Sequence, residues 1–160
     1  KDRFVFNIIG VDHLIFLIKE ICGKNSNGLN LNVLAASKHK ISSFKRSYFS
    51  IAVSGTITLE LAMNNVPIIC IYKLNKLSYF ILKIIIKVKY ISLVNIIMNK
   101  AIIPELIQSN FTFKKFKREF DLLNEGDKQI SYQKKMFRRV QSKLYFNKKV
   151  ALKEIRKMLY

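Results

Sequence analysis

One heptapeptide constrains this chain more than any other stretch: Ser54-Gly55-Thr56-Ile57-Thr58-Leu59-Glu60. The apolar run Phe49–Val53, interrupted only by Ser50, leads into it, and a helical pattern from Ile57 to Asn64 leads out. Strand, glycine turn and helix start follow in that order, which puts polar groups at the carboxyl end of a strand. Open α/β sheets bind their ligands there. The first turn of a helix has unpaired N–H groups and the positive end of the dipole, so it suits a phosphate. Ser54 and Thr56 are both able to cap that end or to bond a ligand oxygen.

Glu60 is the more telling residue. With Ser54 as N-cap it is the sixth helical residue, and with Thr56 as N-cap the fourth. A capping-box carboxylate belongs at the third, so capping does not explain Glu60. It lies four residues after Thr56, on the same helix face. A carboxylate beside a phosphate-binding turn is placed to accept bonds from sugar hydroxyls. The plain alternative is a capped helix with a solvated glutamate.

The rest of the chain repeats the strand–helix alternation. Arg3–Ile9 reads as a strand, followed by Gly10 and by Asp12 as N-cap of a helix carrying Leu14, Ile15, Leu17, Ile18 and Ile21, closed by Gly23. Lys24–Gly28 is a loop, Leu29–Ala36 a strand, and His39–Tyr48 a short helix with Ile41, Phe44 and Tyr48 at helical spacing. Val66–Tyr72 is nearly all apolar, as a strand covered on both faces would be. Alternation of this kind predicts right-handed βαβ units and a doubly wound parallel sheet.

Tyr90–Val94 reads as a short extended run ending at Asn95, whose amide offers both a donor and an acceptor to a nucleobase or ribose. Pro104 suits the first position of a short helix. Thr112 is a cap for a helix with the stripe Phe113, Phe116, Phe120 and Leu123, ended by Gly126. Gln129–Phe146 is a basic helix with Tyr132, Met136, Val140 and Leu144 in register, and Val150–Tyr160 is a further one. The cations Lys134, Lys135, Arg138 and Arg139 are most simply a solvated face; no recognised nucleic-acid motif accompanies them. Leu77–Val88 has an apolar face of Leu77, Phe80, Ile81, Ile84, Ile85 and Val88 beside Lys83 and Lys87. It is too short and too charged to span a bilayer, but Phe80, Lys83, Ile84 and Lys87 suit a membrane surface. An ordinary helix packed on the sheet fits the same pattern.

Half of the 160 residues are apolar, which argues against global disorder. Lys and Arg outnumber Asp and Glu 29 to 10, a net charge of +19 that favours anionic partners, although compositional bias in a Lys-, Ile- and Asn-rich source produces the same excess. Cys22 and Cys70 sit in apolar patterns outside any metal-spaced cluster, so they read as buried free thiols. With only His13 and His39, a histidine-based metal site is not expected. Lys1 stands directly against the first strand, so the expectation is a fragment, or a degraded reading frame, whose upstream portion is absent.

Read in series, S-G-T-x-T-L-E-L-A, V-P-I-x-x-x-Y-K, K-V-x-Y-I-S-L-x-N and P-E-L-I-Q resemble the C-terminal half of the lipid-A-disaccharide synthases. The resemblance runs clearly from about Phe49 to Gln108 and more weakly upstream to Arg3. It implies an α/β fold with a Rossmann-like parallel sheet flanked by helices, the nucleotide-binding half of a two-domain GT-B-type glycosyltransferase. C-terminal to Gln108 only the helical pattern agrees; the domain limits expected are 1–126 for the UDP-sugar-binding domain, its first strand and loop missing, and 127–160 for basic helices packing on or extending from it. The donor it implies is a UDP-linked diacylglucosamine, the acceptor diacylglucosamine 1-phosphate, and the product a β-1,6 disaccharide with UDP released. Ser54, Gly55, Thr56 and Thr58 would then meet the diphosphate, Glu60 the ribose, and Asn95 would stand near the nucleotide. No metal or other cofactor is implied. The place of action is the inner face of the bacterial cytoplasmic membrane, with no nucleic-acid partner, and self-association into a homo-oligomer stays open. Catalytic residues are expected in a preceding half. The rival readings are another UDP-sugar glycosyltransferase of this architecture and a non-catalytic basic module for nucleic acid or membrane.

Three departures from the family pattern stand out. Lys89 and Val94 occupy usual proline positions. Met98-Asn99-Lys100-Ala101 stands where a small residue and Gly-Arg-Glu are usual, and lysine keeps the charge of that arginine without its bidentate fork. The Gly-Ser-Arg loop that normally opens the domain has no counterpart.

Overall fold

A computed structural model of the chain describes residues 4–53, 55–73 and 89–159, with helix side chains as far as residue 146. Ser54 lies outside the described residues, as does the 77–88 segment with Phe80, Lys83, Ile84 and Lys87. The chain divides into two compact units, Lys1–Ser47 and Tyr48–Tyr160.

In the first unit, β1 (Phe6–Gly10) pairs in parallel with β2 (Leu31–Ala35), in register from Phe6↔Leu31 to Gly10↔Ala35. A parallel pair needs a crossover, and α1 (Ile15–Asn25) supplies it; α2 (Ala36–Arg46) follows β2. Gly23 lies inside α1 rather than closing it. The turn comes at Asn27 and Gly28, both with positive φ (44° and 78°). Asp12 does not cap α1, which has Leu14 at its N-cap. Its carboxylate instead accepts the Ser37 N–H at 3.2 Å and the Ser37 hydroxyl. It therefore caps the first turn of α2, where an anion also meets the positive end of the dipole. Those bonds, with Lys38 and His13 nearby, hold the Asp12 carboxyl below its ordinary value.

In the second unit, β3 (Ser50–Val53), β4 (Ile68–Tyr72) and β5 (Glu105–Ile107) form a wholly parallel sheet in the order β3-β4-β5. Pro104 begins no helix. It stands just before β5, and its carbonyl accepts the Cys70 N–H at 2.9 Å. A residue without an N–H is tolerated at a strand's start because it owes the ladder no donor there. The segment at 90–95 is likewise not extended throughout: Ser92 caps α4 (Leu93–Met98), its side chain accepting from the Asn95 N–H. Asn99 ends α4 in the left-handed region (φ 47°), a conformation asparagine tolerates better than most residues. Asparagine is thus a workable replacement for glycine at this departure from the family pattern.

α5 (Phe113–Glu125) is capped by Thr112, whose Oγ1 accepts from the Lys115 N–H, and it ends at Gly126. A Cβ at Gly126 would lie 2.7 Å from the Leu122 carbonyl oxygen, so a side chain is excluded there. Phe116, Phe120 and Leu123 face the core, but Phe113 is 80% exposed. Leu123 joins Ile69, Leu106 and Ile130 in a buried cluster ringed by Phe49, Phe111, Phe116 and Phe120. Phe49 and Phe120 meet edge-on at 5.2 Å.

The two basic helices expected from sequence are one, α6 (Asp127–Leu159). It buries Ile130, Gln133, Met136, Phe137 and Val140, while Lys134, Lys135, Arg138 and Arg139 are exposed. Gln133 accepts the Ile68 N–H at 2.8 Å and donates to the Ile68 carbonyl at 3.1 Å. β5 first pairs at Cys70↔Glu105, so the Gln133 amide serves β4 where the neighbouring strand has not yet begun.

Candidate functional site

The residues singled out around Gly55 do converge on the carboxyl end of a parallel strand. Val53 ends β3 in register with Ile71 of β4, and Tyr72 pairs with Ile107 of β5. α3 (Thr56–Met63) starts directly beyond β3. Its N-cap is Gly55, not Ser54 or Thr56, with φ 129° and ψ −162°. That backbone state favours glycine, and the residue brings no side chain to cap the first-turn N–H groups. Gly55 and Thr56 are exposed. The turn therefore presents open main chain and one hydroxyl.

Thr58 is fully buried and its Oγ1 donates to the Gly55 carbonyl at 2.9 Å, beside a Thr58 N–H bond to the same oxygen at 3.3 Å. It shapes the turn from beneath rather than facing outward. Glu60 is half-buried on the second turn, as the fifth helical residue, which again lies outside a capping box. With Thr56 at the first position, the two share a face as their spacing predicts.

Asn95 has a different job from the one expected. It is buried within α4, and its carboxamide is fully engaged. Nδ2 donates to the Ile103 carbonyl at 2.9 Å and to Glu105 Oε1 at 2.8 Å; Oδ1 accepts the N–H groups of Ile102 at 2.8 Å and Ile103 at 3.1 Å. Two donors and two acceptor sites exhaust this side chain, so none remains for a nucleotide. The expectation of direct contact is corrected to a positioning role, which pins the 99–103 reversal onto α4.

Glu105 is the partner that sequence reasoning missed. Its carboxylate accepts four bonds: from the N–H groups of Ile91 and Ser92 at 3.0 Å each, from the Ser92 hydroxyl at 2.7 Å, and from Asn95 at 2.8 Å. The Y-I-S-L-x-N and P-E-L-I-Q blocks are thus two halves of one polar network. Their shared occurrence is the available signal for it. α4 in turn packs on α3, so the network sets the helix beside the turn.

The same sheet edge carries Lys73, exposed just beyond β4, and Gln108 just beyond β5. Gln108 has φ 51°, unusual outside glycine and asparagine, and its Nε2 is buried without a hydrogen-bond partner. Lys100 Nζ lies over the Tyr132 ring, 5.8 Å from its centroid, a cation–π arrangement. A groove of about 590 Å3 lined by Phe113, Lys117, Arg118 and Leu122 lies on α5 and shares no residue with the Gly55 turn. Lys117 and Arg118 there are paired with Asp121 and Glu119. Among the described residues no cluster of His, Cys, Asp and Glu could hold a metal, and no helix is long and apolar enough to cross a membrane.

The family model described as Lipid-A-disaccharide synthetase matches residues 13–159, so the match runs through α5 and α6, beyond the motif blocks. The lipid-A-disaccharide synthase of Rickettsia typhi is 36% identical over 108 residues, which are 68% of this chain and 27% of the relative. That of Rickettsia conorii is 52% identical over 61 residues, 38% of this chain and 14% of the relative. That of Nitrosococcus oceani is 40% identical over 88 residues, 54% and 23% respectively. The matched regions span about a quarter or less of these relatives. With its parallel strands, crossover helices and glycine turn, this α/β chain belongs to the lipid-A-disaccharide synthetase family of GT-B glycosyltransferases.

Proposed function

We propose that this chain is the donor-binding portion of an enzyme that transfers 2,3-diacylglucosamine from UDP to 2,3-diacylglucosamine 1-phosphate. The products are lipid A disaccharide 1-phosphate and UDP. The observation that carries this reading is the uncapped start of α3 at Gly55, set at the carboxyl end of a parallel strand. Open N–H groups and the helix dipole suit the diphosphate there. A glycine lets the phosphate approach the main chain closely. Ser54 and Thr56 add hydroxyls, Thr58 fixes the turn, and Glu60 takes the ribose hydroxyls. Lys73 offers a counter-charge at the same edge. Asn95 and Glu105 act through α4 rather than on the ligand. The proposed place of work is the inner surface of the bacterial cytoplasmic membrane.

UDP titration followed by amide NMR tests this. Shifts should concentrate on Gly55–Glu60. Glu60→Gln should weaken UDP binding by about 1–3 kcal/mol, the range for a hydrogen bond to a charged group. Equal affinity for UDP and for a uracil diphosphate mimic lacking ribose would remove Glu60 from the site. UDP shifts confined to 129–146 would favour the basic-module reading instead.

A further inference from the structure

We propose that Gln108 is a specificity residue of the sugar-donor site, its side-chain amide donating a hydrogen bond to a carbonyl oxygen of the bound nucleotide-sugar. The inference rests on the donor-binding reading above and adds a contact which that reading does not use. Its first support is placement. Val53, Ile71 and Leu106 form one rung across β3, β4 and β5. Gly55, Lys73 and Gln108 each lie two residues beyond that rung, so three chains leave the same sheet edge level with one another. β3 and β5 are two strand spacings apart, about 10 Å. A UDP-hexosamine with its diphosphate at Gly55 is long enough to cover that span with either of its ends.

The backbone is the second support. Gln108 has φ 51°, and the other described non-glycine residues with positive φ are all asparagines, Asn27, Asn65 and Asn99. Asparagine tolerates this region because its short amide bonds locally; glutamine is longer and lacks that ease. The third support is the amide itself. Gln108 Nε2 is buried without a hydrogen-bond partner, whereas Asn95 and Gln133 use both ends of theirs. The turn around it is otherwise bonded: the Gln108 carbonyl accepts the Phe111 N–H at 3.0 Å, Asn110 accepts from Lys115, and Thr112 caps α5. Strain and an unmet donor on one residue have no explanation in the fold, and such outliers gather where ligands bind. Asn124 Oδ1 is also buried and unpaired, but it sits in the regular backbone of the last turns of α5 and has neither the strain nor the placement. Gln108 is half-buried, so a change of rotamer brings its nitrogen to the edge. A neutral N–H donor suits a carbonyl oxygen, and the charged phosphates are left to the open main chain and Lys73. The nucleotide-sugar offers two such carbonyl sources, the uracil ring and the 2-acylamino group of the hexosamine.

The test titrates the whole chain with pyrophosphate, UDP, UDP-glucose and UDP-N-acetylglucosamine, following the Gln108 side-chain amide by NMR. Its resonances should move downfield as the hydrogen bond forms. Gln108→Leu keeps most of the bulk and removes the donor. It should weaken binding roughly three- to tenfold, the worth of one neutral hydrogen bond, and leave the urea midpoint unchanged or higher because a buried unpaired group is gone. Gln108→Gly also relieves the backbone; it should lose the same affinity, and it stands in for a leucine variant that fails to fold. A loss first seen with UDP assigns the uracil carbonyl, and one first seen with UDP-N-acetylglucosamine assigns the acylamino carbonyl. A loss already present with pyrophosphate, or first seen with UDP-glucose, puts the amide on a phosphate or a hydroxyl and overturns the inference. Unchanged affinity in both variants overturns it too, as does an affinity loss matched by a lower urea midpoint, which would make Gln108 a structural residue. In those cases persisting shifts at Gly55–Glu60 leave the donor site standing. No such shifts in the wild type would remove the donor site, and this contact with it.

Discussion

Glu105 shows how one side chain can organise a segment that has little secondary structure of its own. Its four donors come from Ile91, Ser92 and Asn95, so its loss strands several partly buried groups at once. Glu105→Ala should cost about 2–4 kcal/mol in urea unfolding at unchanged m, because unsatisfied buried donors carry a desolvation penalty and the bonds reinforce one another. A loss below about 0.5 kcal/mol would mean that water replaces the carboxylate. Cys70 sits against the same network. Burial, with the Glu105 charge beside it, pushes its thiol from 9.0 up to about 12. The folded value lies above the unfolded one, so this contribution is complete below pH 9 and is lost as pH rises toward 12. Between pH 8 and 10.5 the wild type should therefore lose stability relative to Cys70→Val. Parallel pH curves for the two would show that the thiolate is accommodated. Glu60 was legible in the sequence because helix phase is a matter of counting, and moving the N-cap to Gly55 changed the count without placing Glu60 in a capping box. Asn95 was not: an exposed ligand and a satisfied buried amide look alike until the partners seven to ten residues onward are folded back upon it.

Elements were legible where hydrophobic period and length agreed. β3, β4 and α3 fall within one or two residues of their apolar runs, and β4, covered on both faces, advertises itself most plainly. Pro104 misled because its fixed φ and missing donor suit the start of a helix and the start of a short strand alike. Pattern divides α6 in two, yet no Gly or Pro interrupts residues 127–159, and the backbone continues through. Its inner face was underestimated for another reason: Gln133 is polar by type but buried by function. Gln133→Leu keeps the packing volume and removes both bonds to Ile68. The unpaired N–H and carbonyl of β4 should then cost about 2–4 kcal/mol. Gln141→Ala, on a part-buried cap of α3, should cost about 0.5–1.5 kcal/mol. Equal effects at the two positions would mean that the β4 bonds are no more valuable than a surface contact.

At the scale of the molecule, the parallel α/β class was readable because each strand is followed by a helical pattern long enough for a crossover. The arrangement into a two-stranded and a three-stranded sheet was not, because strand pairing is set by contacts that no local pattern encodes. Charge distribution also bears on what the chain can do alone. Sugar transfer between bound partners needs a base within hydrogen-bond reach of the acceptor hydroxyl. Among the described side chains, Asp12 is occupied by Ser37, Glu20 by Lys24, Glu119 by Arg118, Asp121 by Lys117 and Glu105 by its four donors. Glu60 is assigned to the ribose, while Glu125 and Asp127 flank Gly126 at the junction of α5 and α6. The 160-residue chain assayed by itself should therefore bind UDP weakly, at roughly millimolar or about 4 kcal/mol, and transfer no sugar. The region compared covers only 27% of the Rickettsia typhi relative, so the remainder of that relative, added in trans, is the natural complement. UDP release from donor and acceptor by the chain alone would show that one of this chain's own carboxylates acts as the base.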